Sequence, residues 1–281
     1  MIKRLSLGLL GILCVVALMG SDITPPIGGG GGGGLDSYAN YASLPGSASD
    51  GDAAKTIDDG RVYVYNTTLS LWSPPELASV SSLIADLDMD VLPTADTPAW
   101  AKGGTGTTAV AGNELTITLD AANYANYTLT SATDIVSTKK VGMSVRVKVT
   151  AQQAAEAGWK GYIAIRPSNL EWGAVTLARG TSSTAADNVW FMSGSSGGGA
   201  WGAHEPTTAI VADISVYFDL FLWYDNDLKT YSFWTPGGAV FTIHEATGST
   251  SYFATTTARF GASSASFSST LVFANVKVFK F

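Results

Sequence analysis

Residues 214–235, ISVYFDLFLWYDNDLKTYSFWT, alternate so regularly that they commit this part of the chain to a β architecture: two strand segments closed by Asp225-Asn226-Asp227, read as a hairpin. Strand side chains alternate in direction. Ile214, Val216, Phe218, Leu220 and Leu222 therefore share one face, and Ser215, Tyr217, Asp219, Phe221 and Trp223 share the other. The first face is core. The second sets rings around one carboxylate, and left open to solvent such a face stacks on a sugar or another flat ligand. The alternative is that Tyr217, Phe221 and Trp223 lie under another sheet or a loop, as large apolar groups usually do.

The rest of the chain supports the β reading. Of its 281 residues 46% are hydrophobic, only 14% are charged and 31 are glycine, a balance that excludes global disorder and favours strands joined by many turns. Strand patterns recur at 114–119, 127–131, 141–150, 161–166, 174–178, 189–192, 239–244, 258–261 and 270–281. Val141, Met143, Val145, Val147 and Val149 alternate with Ser144, Arg146 and Lys148, as a half-buried antiparallel strand requires. Residues 151–157 read as a helical turn between strands. Many strands without βαβ alternation imply a sandwich.

Before the sandwich the chain changes character several times. Lys3-Arg4 and the apolar run 5–19 have the charged and hydrophobic parts of an export signal, although Leu18 blocks a clean cleavage site and Leu13 before Cys14 argues against a lipoprotein signal. Residues 1–20 are therefore either a secretory signal or a retained anchor. Residues 21–35, with Pro25-Pro26 and seven consecutive glycines, form a flexible tether. Residues 36–75 make a small hairpin module, and 76–98 a short helix and linker: Ser73-Pro74-Pro75-Glu76 resembles a helix start, followed by Leu77, Val80, Leu83, Ile84 and Leu87 at helical spacing. The sandwich is expected over 99–281.

Two family resemblances add to this. Leu44-Pro45, Asp50-Gly51-Asp52, Gly60-Arg61-Val62-Tyr63-Val64-Tyr65 and Leu71-Trp72 resemble the small modules of bacteriophage tail-fibre and other virion appendage proteins. In the C-terminal region the strand series, the long pair 216–224 and 228–234, and the closing strand TLVFANVKVFKF together resemble the concanavalin A-like lectin and glucanase superfamily. That resemblance implies a jelly roll of two stacked antiparallel sheets, with carbohydrate on the concave face or its rim.

Charge and motif content then narrow the function. Residues 35–100 hold ten acids and two bases, whereas 101–281 hold twelve of each, so no basic stripe exists for nucleic acid. With Cys14, His204 and His244 the only cysteine and histidines, neither a zinc cluster nor a Cys/His nucleophile pair can be assembled. The acids of the sandwich are scattered singly, without the E-x-D-x-x-E run of glucanases, and Gly197-Gly198-Gly199 lies between strands, unlike a dinucleotide loop. A non-enzyme is expected.

Candidate glycan ligands are Tyr217, Asp219 and Trp223, joined by Trp201, His204 and Glu205 of the glycine-rich loop 193–206. No cofactor is expected. Calcium has two weak candidate positions, Asp225 with Asp227 in the hairpin turn, and Asp86, Asp88 and Asp90, where Val91 and Thr97 replace the Gly and Glu of an EF-hand loop. The reading is a non-catalytic virion appendage that contacts host-surface glycans and joins other virion or cell-surface subunits through its N-terminal region, with a homo-oligomer allowed. Its rivals are a secreted or surface-anchored bacterial glycan-binding protein, and a purely structural lattice subunit whose aromatic face is buried between subunits.

Overall fold

A computed structural model of the protein describes residues 35–119, 123–130, 140–152, 158–166, 171–179, 187–195, 202–204, 215–228, 230–244, 257–263 and 269–281. The signal-like segment and all seven glycines of the tether lie outside the described residues, as do residues 153–157 of the expected helical turn. The described residues form β1 (Asp36–Tyr38), β2 (Ala53–Thr56), β3 (Val62–Asn66), β4 (Leu71–Ser73), β5 (Ser82–Leu87), β6 (Ala101–Gly104), β7 (Thr107–Ala111), β8 (Glu114–Leu119), β9 (Tyr124–Thr130) and β10 (Lys140–Gln152). They continue with β11 (Gly158–Arg166), β12 (Glu171–Arg179), β13 (Asp187–Ser195), β14 (Gly202–His204), β15 (Phe218–Asp225), β16 (Thr230–Trp234), β17 (Phe241–His244), β18 (Thr257–Ser263) and β19 (Ser269–Lys280).

Two antiparallel sheets make the sandwich. One runs β17-β16-β15-β10-β19-β8-β7, with β5 also paired to β19, and the other runs β14-β13-β12-β11-β18-β9-β6. Alternation fills the space between them. Val141, Met143, Val145, Val147 and Val149 of β10 and Leu220, Leu222 and Tyr224 of β15 meet Ile163, Ile165, Tyr127 and Phe260 from the facing sheet. Trp100 closes this core edge-on to Phe260, with ring centroids 5.2 Å apart. Val216, expected inside, is exposed, because β15 begins only at Phe218, where pairing with Val147 starts.

The short helix expected within 76–98 does not form. Pro75–Leu77 makes a single 3₁₀ turn, and Ser82–Leu87 is strand β5, paired along β19 from Lys280 to Val276. Ser73 is no cap: its hydroxyl donates to the Val64 carbonyl at 3.2 Å inside the β3–β4 pair. Local helix signals are weak, and the hydrogen-bonding edge of β19 outweighs them. The apolar residues at helical spacing are divided accordingly, Leu77 going to a core beside the first sheet and Leu87 to the sandwich core.

Strands β1 to β4 form a separate four-stranded sheet that lies on the outer face of the sandwich. Tyr63, Tyr65, Leu69, Trp72, Leu77 and Val80 from this module pack with Phe221, Trp223, Trp234 and Phe279 from the sandwich in one apolar cluster. Rings of this size each remove about 150–250 Å² from water, so packing fixes the module in place. Polar contacts fix its register. Arg61 Nη1 donates to the Gly237 carbonyl at 3.1 Å, and Tyr41 packs edge-on to Trp234, with ring centroids 6.0 Å apart, while its hydroxyl donates to the Trp72 carbonyl. Within the module, buried Asn66 donates to the carbonyls of Leu77, Ala78 and Val80 and accepts from the Leu69 N–H, which ties the 3₁₀ turn to the hairpin.

Candidate functional site

The outer face of the sandwich sheet changes from apolar to polar along its strands. Trp223, Gly142, Phe279 and Leu83 stand side by side across β15, β10, β19 and β5. One step further along come Phe221, Ser144, Lys277 and Asp86, and then Asp219, Arg146 and Asn275. The module covers the first row and Phe221. Beyond its hairpin the polar rows form the floor of a groove of about 320 Å³, lined by Leu69, Ser70, Leu71, Ser144, Arg146, Asp219, Phe221, Asn275 and Lys277.

This arrangement corrects the expectation of an open aromatic face. Asp219, Phe221 and Trp223 do share one side of β15, with Tyr217 just ahead of the strand, but Trp223 is only 2% exposed and is packed under the module, so it cannot stack on a ligand. Among the aromatic residues of that side, Phe221 alone reaches the groove lining. Tyr217 does not line the groove, although its ring centroid is 5.6 Å from the guanidinium of Arg146, which does. Its hydroxyl donates to Glu114 Oε1 at 2.5 Å, and Lys148 Nζ lies 4.1 Å from its ring centroid. Of the candidates Tyr217, Asp219 and Trp223, only Asp219 lines the groove.

Of the glycine-rich loop candidates, Trp201 and Glu205 lie outside the described residues. His204 ends β14 opposite Phe191, and its side chain is likewise outside them. The calcium candidates have other partners. Asp225 Oδ1 accepts the N–H groups of Asp227 and Leu228 at 3.0 Å and closes the hairpin turn. Asp86 accepts from Asn275, while Asp88 accepts from the Asp90 N–H. Asp90 titrates above the ordinary carboxylate range because Asp88 shares a hydrogen bond with it and adds like charge. Among the described residues no three His, Cys, Asp or Glu side chains gather as a metal site.

Inside the groove the charges are pinned by neighbouring strands. Arg146 Nη1 donates to Asp219 Oδ2 at 3.1 Å, with the side chains 50% and 34% exposed. Burial raises the Asp219 carboxyl and the Arg146 charge opposes that shift. Asn275 Nδ2 donates to Asp86 Oδ1 at 3.2 Å and to the Leu87 carbonyl at 3.1 Å, fixing the amide. Lys277 Nζ lies 3.9 Å from Asp86 Oδ2.

Ser144, Arg146, Asn275, Lys277 and the Leu69–Leu71 wall were not among the residues the sequence singled out. Ser144 and Arg146 were visible as the polar side of β10. Asn275 and Lys277 were hidden by a bulge: Arg146 pairs with Asn275 but Val147 with Phe273, so Ala274 is an extra residue that shifts every later side chain to the opposite face.

Stacked antiparallel sheets joined in this order define an all-β jelly-roll sandwich, the concanavalin A-like architecture that the strand pattern resembled. No protein-family model and no curated sequence matches the chain. Solved structures of similar fold include LamA_E269S from Zobellia galactanivorans in complex with laminaritriose and laminaritetraose, with TM-score 0.50, 10% identity, 72% of this chain and 100% of that one covered. The Ca2+/Man3GlcNAc-bound exoplasmic/lumenal domain of VIP36 gives TM-score 0.47, 13% identity and coverage of 70% and 88%. The CBM2 module of the evolved Dit of Lactobacillus casei BL23 phage J-1 gives 0.44, 13%, 71% and 96%. At these identities the likeness is one of fold.

Proposed function

We propose that the protein is a non-catalytic, lectin-like binding protein that holds a saccharide in the groove between its N-terminal module and the outer face of the sandwich. The observation that carries this reading is the composition of the lining. Arg146 and Lys277 donate, Asp219 accepts, Ser144 and Asn275 carry both kinds of group, and Leu69, Leu71 and Phe221 supply apolar surface. A sugar presents hydroxyls that both donate and accept, around a ring with an apolar face, and so matches such a lining. The described lining contains one carboxylate, whereas glycoside hydrolysis by paired carboxylates requires two, which favours binding over cleavage.

On this proposal the protein is an extracellular virion appendage whose N-terminal region joins it to other subunits, and the groove faces host-surface glycans. The resemblance of residues 36–75 to appendage modules and the polyglycine tether support that setting. The basic and apolar residues 3–19 favour the second setting, a secreted or surface-anchored bacterial protein with the same groove. Its rival as a lattice subunit drew on an aromatic face awaiting another subunit, and here the chain's own module covers that face.

A glycan array probed with the full chain tests the binding. Retention of specific saccharides, weakened by Asp219→Asn and Asn275→Ala, is expected, whereas no saccharide retained, or unchanged binding by both variants, contradicts the proposal. N-terminal sequencing of the native protein separates the settings: residues 1–20 retained on particles supports the appendage, and their removal supports export.

A further inference from the structure

We infer that the groove selects anionic saccharides, those carrying a carboxylate or sulfate group, over neutral ones. This rests on the reading of the groove as a saccharide site. Four side chains on two adjacent strands form a square in its floor. Ser144 pairs with Lys277, and Arg146 pairs with Asn275, so the two cations occupy one diagonal and two neutral hydrogen-bonding groups the other. Diagonal positions on neighbouring antiparallel strands lie about 7–8 Å apart, a span that the oxygens of one carboxylate or sulfate, approached by two long cationic side chains, can bridge.

Each cation is held from outside the square and keeps donors in reserve. Asp219 pairs with Arg146 from β15, and Asp86 with Lys277 from β5, one strand further out on opposite sides. Arg146 makes one hydrogen bond to Asp219 through Nη1 and lies 5.6 Å from the Tyr217 ring centroid, while a guanidinium has five N–H donors. Lys277 lies 3.9 Å from Asp86, well beyond the reach of a charge-assisted hydrogen bond at about 2.7–2.9 Å. Asp86 is meanwhile engaged by Asn275 and does not line the groove. The lining therefore presents two cations and one carboxylate. A neutral sugar placed over the square offers the two cations only uncharged hydroxyl acceptors, whereas an anionic group accepts charge-assisted hydrogen bonds from both, which are roughly twice as strong.

The test pairs uronate-bearing oligosaccharides with their carboxyl-reduced counterparts, and sulfated with desulfated ones, against the full chain and its Lys277→Gln, Arg146→Gln and Lys55→Gln variants. Lys55 is exposed on the module, outside the groove, and controls for the change in net charge. Thermal midpoints confirm that each variant is folded. The expected result is that the anionic member of a pair binds about tenfold more tightly or better, that Lys277→Gln removes about that factor, and that Lys55→Gln leaves it unchanged. Equal binding of the neutral member, or anionic preference surviving in Lys277→Gln, overturns the inference and leaves the saccharide groove standing. Binding of neither member of any pair overturns both.

Discussion

Phe279 lies on Gly142: a Cβ placed at residue 142 would stand 2.0 Å from Phe279 Cε2. Glycine is required there because the ring of β19 fills the space above β10 and helps form the apolar surface on which the module rests. Phe279 is completely buried and has little room to swing away. Gly142→Ala should therefore lower the unfolding free energy by about 1–3 kcal/mol, as overpacked cores do, measured by urea denaturation. Unchanged stability would mean that the module does not press on this row.

Trp223 is the residue whose role differs most from what its strand pattern implied. Buried under the module, it contributes to stability and makes no contact with the groove. Trp223→Ala should cost about 3–5 kcal/mol in a denaturant titration. At temperatures where the variant remains folded, its saccharide affinity should equal that of the parent chain. A selective loss of affinity at full stability would return Trp223 to the binding surface.

Glu114 titrates below the ordinary carboxylate range because the Tyr217 hydroxyl donates to it; burial opposes this and the Lys148 charge adds to it. Since the folded state holds this carboxyl below its unfolded value of 4.5, the stabilisation is complete above that value and is lost as pH falls through the depressed one. Tyr217→Phe removes the donor. The difference in thermal midpoint between parent and variant should be largest near about pH 6 and shrink toward about pH 3. A difference independent of pH over that range would show that the phenol and the carboxylate are not coupled.

Most of the strands were legible because the core alternates, as in β8 and β10. What alternation could not reveal was the partner of each face. Phe221 and Trp223 have the same strand signature whether they meet water, a ligand or another layer, and their neighbours Tyr63, Trp72 and Leu77 are more than a hundred residues away in the chain. Strand β5 was misread because Leu77, Val80, Leu83, Ile84 and Leu87 fit a helical period, while the edge of β19 that pairs with it is almost two hundred residues distant. The groove is the product of both long-range events and of the bulge at Ala274. Asp219 could be picked from the sequence as an isolated carboxylate on an aromatic face, but that Arg146, Asn275 and Lys277 would line the same groove could not.

The most direct measurement is an amide-resolved NMR titration of the labelled full chain with an anionic saccharide retained on the array. Cross-peaks of Ser70, Leu71, Ser144, Asp219, Asn275 and Lys277 should move together and saturate at one concentration. Stationary groove signals, with shifts confined to the loop carrying Trp201, His204 and Glu205, would place the ligand elsewhere and contradict a saccharide site at the junction of module and sandwich.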